Sequence, residues 1–279
     1  MKVTIITVCY NRVMTIAEAM MSVLSQDYPD IEYLIIDGAS TDGTTQLVRD
    51  MLAQQAETGA TAKIQRHARE ARLVSEPDNG MYEALNKGMR MATGDVIGLV
   101  HSDDVLMDTN IVSHYVESFK RTGADLIYAD GVFVDKADTS RIRRLWVSGY
   151  FWRWKVRLGW LPLHPTVYIR RASLNPDVLY DTSYRVAADT KFLIYYLHES
   201  PLRVHYLQRY TVRMRMGGLS TDPKRAHLVY KEDVSIYQYY GFRFPRLDKV
   251  MKMMWKVPQF ALAVIRQTIN KIHRLHAIL

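Results

Sequence analysis

The chain contains one cysteine, Cys9, among its 279 residues. A single thiol excludes an internal disulfide framework and makes a reducing compartment the simpler expectation. It also excludes a structural zinc site, and neither C-x-x-C nor H-E-x-x-H occurs. No run of roughly 18 apolar residues predicts a membrane-spanning helix. The first twelve residues lack the apolar core and small-residue cleavage site of a signal peptide, and no Asn-x-Ser/Thr sequon is present. No G-x-G-x-x-G follows a strand-like run and no G-x-x-x-x-G-K-[ST] exists, so dinucleotide binding and P-loop hydrolysis lose support. Repeats at solenoid or propeller periods are missing too. These absences predict a cytoplasmic chain.

What is present is ordinary for a globular protein: 48% hydrophobic and 24% charged residues. Lys and Arg outnumber Asp and Glu by 37 − 29 = 8. That excess favours anionic partners: nucleotide phosphates, nucleic acid or an acidic lipid surface. Nucleic acid has no binding module to support it.

Hydrophobic periodicity alternates between strand and helix along the first half. Val3–Cys9, Ile31–Ile36, Arg72–Ser75, Val96–Val100 and Leu126–Val134 read as strands. Helical spacing joins Ile16, Met20 and Val23, then Leu47 and Met51, then Leu85 and Met89, then Ile111, Tyr115 and Phe119. The alternation predicts an α/β fold with a mostly parallel sheet flanked by helices. Ligands of such sheets lie beyond the carboxyl ends of the strands, where Asn11, Asp37, Asp78 and Asp103-Asp104 fall. Farther on, Leu163–Ile169 reads as a strand, and Lys191–Leu197 as a helix opened by Asp189. Four of the five tryptophans lie between Trp146 and Trp160, among Arg153, Lys155 and Arg157, and the end from Arg243 reads as helical.

Cys9, inside the first strand, reads as a packed small hydrophobe rather than a nucleophile. Asp103-Asp104 is more informative. Two adjacent carboxylates after a hydrophobic strand repel each other unless a positive group joins them. A divalent cation shared with a diphosphate meets that need; a solvated loop with a helix cap is the alternative reading.

Four segments carry a resemblance. ITVCYN, IEYLIIDGASTDGT, SEPDNGMYEALNKGM and ATGDVIGLVHSDD resemble, in order and spacing, the successive motifs of family 2 glycosyltransferases with the GT-A fold. The likeness is to bacterial enzymes of exopolysaccharide, capsule or O-antigen synthesis. It continues more loosely through LHPTVYIRR, YRVAADTKF and MGGLST. It implies a nucleotide-diphospho-sugar transferase fold over residues 1–221, with a nucleotide-sugar half (1–135), an acceptor half (136–221) and a C-terminal helical extension (222–279).

The resemblance also implies roles. Thr7, Asn11 and Asp37 fall where the family holds base and ribose, Asp78, Asn86 and Lys87 beside ribose and phosphates, and Asp103 on the ribose side. Many relatives carry a second acid after the second strand, reading uracil; Gly38 stands there, so the base stays open. Asp104 falls at the ligand position of a divalent cation, Mn²⁺ or Mg²⁺. Asp189 falls at the position of the base that takes the acceptor's proton, and as a residue it is also a candidate helix N-cap. His164 falls near the acceptor, as a second metal or acceptor contact, and Gly217, Gly218 and Ser220 in a loop near the diphosphate. The implied partners are a nucleotide-sugar donor and a glycan or lipid-linked acceptor. The Trp146–Trp160 stretch and the Ile265, Ile269, Ile272 face of the tail suit an anionic bilayer surface on the cytoplasmic side. A sugar nucleotidyltransferase and a non-catalytic scaffold of a polysaccharide assembly complex are the rival readings. The first lacks its phosphate-gripping loop after the first strand, and the second leaves the acidic positions without a purpose.

Overall fold

A computed structural model of the chain describes residues 1–61, 70–218 and 223–261. The elements are β1 (Val3–Cys9), α1 (Ile16–Leu24), β2 (Ile31–Asp37), α2 (Thr44–Thr61), β3 (Glu70–Ser75), α3 (Met81–Met91), β4 (Val96–Leu99), β5 (Val105–Leu106), α4 (Ile111–Thr122), β6 (Leu126–Val134), β7 (Ile142–Trp146), α5 (Arg153–Val156), β8 (Tyr168–Arg170), α6 (Ala188–Ile194), β9 (Val204–Arg215), α7 (Ala226–Tyr239) and α8 (Pro245–Met254).

Among the described residues the strands form one sheet in the order β3-β2-β1-β4-β8-β6-β9-β5, with β7 added beside β6. The β3-β2-β1-β4 half is parallel. Beyond it, β8 runs antiparallel to both β4 and β6, while β6 and β9 are parallel. The expected parallel sheet is therefore one half of a mixed one. The strand expected over Leu163–Ile169 shortens to Tyr168–Arg170 because Pro165 has no N–H for a ladder, and His164–Thr166 forms a 3₁₀ turn instead.

β1 and β2 are buried along their whole length, as central parallel strands with helices on both faces must be. Successive side chains point to opposite faces: Ile6 and Leu34 join the layer of Leu85 and Phe192, while Ile5 and Ile35 join that of Met20 and Val116. A β-carbon on Gly88 would lie 2.6 Å from Ile6 Cγ2, so α3 lies close on the sheet because this position carries no side chain.

β1, β2 and β4 share a direction, so Cys9, Asp37 and the segment after Leu99 emerge at one edge. The described part of the C-terminal region packs back onto this body. Lys249 and Lys252 of α8 reach Asp233 of α7, Lys252 also reaches Thr190 Oγ1 of α6 at 2.8 Å, and Trp255 Nε1 donates to the Leu158 carbonyl.

Candidate active site

A cleft of about 840 Å³ opens at the carboxyl edge of the parallel strands. Cys9, Arg12, Gly38 and Asp78 line one wall, His101 to Asp104 with Arg215 the floor, and His164, Asp189, Lys252 and Lys256 the other wall.

At the first wall, several of the residues expected to hold base and ribose make hydrogen bonds within the chain. Asp37 is fully buried and accepts hydrogen bonds from Ser40 N and Oγ, Thr45 Oγ1 and Ser75 Oγ at 2.5–3.1 Å. Burial opposes its ionisation, but the bonds from Ser40, Ser75 and Thr45 outweigh it and hold the carboxyl below its ordinary value. Four donors fill the acceptor sites of a carboxylate, so Asp37 anchors the turn after β2. Thr7 is equally enclosed: its hydroxyl donates to the Val100 carbonyl and accepts from Tyr33. Asn11 adopts a left-handed backbone (φ 52°), and its Oδ1 accepts from Thr41 N, tying the β1 end to the same turn.

Asn86 exchanges both of its amide hydrogen bonds with the backbone of Tyr180, and Lys87 binds the Pro77 carbonyl and Glu76. Both therefore brace the site from outside the cleft. Asp78 does line it, with Oδ1 accepting from Gly80 N at 2.9 Å. A β-carbon on Gly38 would sit 2.7 Å from Asp78 Oδ2. The Asp78 carboxylate thus takes the space that a side chain at position 38 would need. Cys9 is packed as expected, its Sγ 3.6 Å from Asp37 Oδ1, and burial raises its thiol pKa.

On the floor, the chain turns sharply after β4, with Asp104 N donating to the His101 carbonyl. Asp104 is 2% exposed, and its Oδ2 has no hydrogen-bond partner. Burial raises its pKa well above the usual range and Asp103 adds to this, while Arg215 opposes it. A buried, unpartnered carboxylate oxygen on a cleft floor fits a cation ligand. No cluster of three or more His, Cys, Asp or Glu ligands exists among the described residues. The fit is therefore to an ion held by one or two carboxylates with the rest supplied by phosphate and water, as Mg²⁺-like ions are. Arg215, near this acid, pairs with Glu18.

His164 lines the cleft, but Nε2 is bonded to the Tyr180 hydroxyl at 2.7 Å. Burial, with repulsion from His101, lowers its pKa to about 3, so it is neutral and braced. Gly217 adopts φ 98° at the end of β9 and Gly218 lines the cleft; Ser220 lies outside the described residues.

Asp189 faces the cleft from the first turn of α6. The N-cap position belongs to Ala187, so the expected capping role of Asp189 is corrected. Glu232 of α7 fixes the chain just before the helix, accepting from the N–H groups of Arg185, Val186 and Ala187 at 2.9 Å. Asp189 Oδ1 accepts from Thr190 N and lies 3.4 Å from the Tyr82 hydroxyl. Burial raises its pKa; Lys252 opposes and Asp233 reinforces the shift.

The sequence reading missed Tyr82, Arg144, Arg215, Asp233, Lys252 and Lys256, which all line the cleft. For the last two a signal existed: Lys249, Lys252 and Lys256 recur at i, i+3, i+7, one helical face.

Residues 4–173 match the glycosyl transferase family 2, and the chain belongs to that family. It is 34% identical over 140 residues to the putative teichuronic acid biosynthesis glycosyltransferase TuaG of Bacillus subtilis, covering 48% of this chain and 51% of that protein. The chain spans about half the length of the curated relatives it matches. Its fold is that of S. aureus TarS residues 1–349 in complex with UDP-GlcNAc (TM-score 0.59, 17% identity, 88% of this chain and 73% of that one). It is also that of the mannosyltransferase PcManGT from Pyrobaculum calidifontis in complex with GDP-Man and Mn²⁺ (TM-score 0.63, 17% identity, 100% and 81%). The α/β sheet with its flanking helices is thus the GT-A fold.

Proposed function

We propose that the chain transfers a sugar from a nucleotide-diphosphate donor to a hydroxyl group of a glycan or lipid-linked acceptor in cell-surface polysaccharide synthesis, by a single displacement with inversion. The carrying observation is the pairing of an unpartnered, buried Asp104 carboxylate on the cleft floor with Asp189 on the acceptor wall. Asp104 would hold Mn²⁺ or Mg²⁺, which when bound stabilises the charge that develops on the departing diphosphate. Asp78 and Asp103 line the donor side. Asp189 takes the acceptor proton while the acceptor oxygen bonds to the anomeric carbon and the bond from that carbon to the diphosphate breaks. Its raised pKa makes it a stronger base than an ordinary carboxylate. Gly217 and Gly218 supply backbone freedom for a segment that shields the donor from water.

Complexes of the structural neighbours with UDP-GlcNAc and with GDP-Man and Mn²⁺ support a nucleotide-sugar donor and a hexosyl or N-acetylhexosaminyl group. Thermal-shift screening of UDP, GDP and dTDP with Mn²⁺ tests the reading, because a ligand of the folded state stabilises it. Stabilisation by one diphosphate, dependent on Mn²⁺, is the expected result; no stabilisation by any, together with no donor turnover, refutes it and favours a scaffold.

Peripheral attachment to an anionic membrane is a second element of this reading. No helix among the described residues is long and apolar enough to cross a bilayer. The tryptophan segment divides: Trp160 is buried and Trp146 half-buried, while Trp152 and Trp154 are exposed. Leu247, Val250 and Met254 of α8 are exposed at i, i+3, i+7, on an element that contacts the same segment through Trp255 and Leu158. With Arg153, Lys155 and Arg157 nearby, the surface suits a headgroup boundary. The Ile265, Ile269, Ile272 face lies outside the described residues. Co-sedimentation with phosphatidylglycerol vesicles, and not with phosphatidylcholine ones, is expected; equal partitioning to neither refutes attachment.

A further inference from the structure

Arg144 on β7 is a buried cation that pairs with no acid among the described residues. It is 5% exposed, with its guanidinium 4.3 Å from the Trp146 ring centroid and 5.0 Å from that of Phe133, and Nε donates to Gln259 Oε1 at 2.7 Å. Nη2 is buried without a partner, although the residue lines the cleft. Lys256, half-buried, lines the same cleft, and among the described residues its ammonium donates no hydrogen bond. The acid nearest in influence, Asp233, is already bound by Lys249 and Lys252 at 2.5 and 2.8 Å. Burial, then the charges of Lys252, Arg144 and Lys249, lowers the Lys256 pKa to about 7. Arg144 and Lys256 therefore stand within electrostatic reach of each other, both wanting an anion.

We propose that Arg144 and Lys256 form an oxyanion subsite on the acceptor wall that holds a phosphate group of the acceptor. The proposal rests on the glycosyl-transfer reading above and names the acceptor's chemistry. The Arg144 guanidinium together with the protonated Lys256 ammonium balances a phosphate dianion better than it balances a single carboxylate, and the dianion in turn favours the protonated lysine. A guanidinium held by flanking rings presents its free N–H in a fixed direction, which suits phosphate recognition. The position separates this subsite from the donor: Lys256 acts electrostatically on Asp189, whereas Arg215 acts on Asp104, where the donor diphosphate is expected. Arg144 lies inside the stretch matched to the family and Lys256 outside it, so this chain's C-terminal region contributes one half of the subsite.

Calorimetric titration of the full chain with inorganic phosphate and, at equal ionic strength, acetate tests the subsite. Phosphate is expected to bind and acetate to bind at least tenfold more weakly. Arg144→Met and Lys256→Gln are each expected to weaken phosphate binding at least tenfold. Lys256→Gln removes no hydrogen bond, so its melting temperature without phosphate should equal or exceed the wild type's, and it decides the matter if Arg144→Met does not fold. Phosphate binding should persist in the presence of saturating UDP, GDP or dTDP with Mn²⁺. Loss of phosphate binding to these competitors, equal binding of acetate, or wild-type affinity in Lys256→Gln overturns the proposal. Donor hydrolysis without phosphate binding would remove the subsite alone; phosphate binding without any donor turnover would remove the transferase reading and leave the anion site.

Discussion

Gly38 and Asp78 occupy one space between them: a β-carbon at 38 would stand 2.7 Å from Asp78 Oδ2. Position 38 cannot gain a side chain unless Asp78 moves. Gly38→Asp is expected to displace the Asp78 side chain and weaken nucleotide binding roughly tenfold, about 1.4 kcal/mol. The double variant Gly38→Asp, Asp78→Gly should recover much of that loss, since it moves the acid back to the strand end. Nucleotide titration of the three proteins checks this; equal losses in single and double variants would contradict the shared-space argument.

Asp104→Asn is expected to raise stability while removing metal-dependent donor binding. The folded-state pKa of Asp104 is raised, so this acid's contribution to stability is fully present below its unfolded pKa and is lost as pH rises through the folded one. At neutral pH the wild type bears the cost of a buried, unpaired charge that the amide lacks. The melting temperature of the variant without metal should exceed the wild type's at pH 7–8, and the gap should close as pH falls below the folded pKa. Mn²⁺ should stabilise only the wild type in the presence of nucleotide.

Asp189→Asn should abolish transfer, with a loss on the order of 10²–10⁴-fold, while nucleotide affinity stays near the wild-type value. The wild-type pH profile carries the sign of the shift. A base must be ionised, and burial raises the Asp189 pKa, so the acid limb of kcat/KM should lie above the ordinary carboxylate range. Activity then falls as pH drops through that raised value. An acid limb at or below pH 4 would separate Asp189 from proton transfer.

Asp233→Leu is expected to destabilise the fold by about 3–5 kcal/mol, because it leaves buried lysines without their anion. Asp233 is fully buried and binds both Lys249 and Lys252. Urea unfolding measures the loss. Its pKa is held below the usual carboxylate value, burial opposing and Lys252 and Lys249 prevailing. Its contribution is therefore present above the unfolded pKa and lost as pH falls through the folded one.

The strands at Val3–Cys9 and Leu126–Val134 were legible because a buried strand is written as a continuous apolar run. The positions of Asp103-Asp104 and Asp189 were legible because the first follow a buried strand and the second opens a helix. The engagement of Asp37 was not: its partners Ser40, Thr45 and Ser75 come from a turn, a helix and another strand. Thr7 reads as a polar residue at a strand end, yet its neighbours across the sheet consume its hydroxyl.

Over the first half of the chain the alternation of the main strands and helices, and the acids at their ends, followed from the sequence alone, because periodicity and local turns are short-range properties of the chain; β5, β7 and β9 were not read from it. Which acid is satisfied and which is left open was decided only in three dimensions. Asp37 fills its lone pairs from three separate segments, Asp104 keeps an oxygen unpaired, and α8 with the turn after it folds back to bring Lys252 and Lys256 to the cleft. The reason is physical: hydrogen-bond satisfaction and buried charge depend on neighbours distant in sequence, which no local pattern encodes.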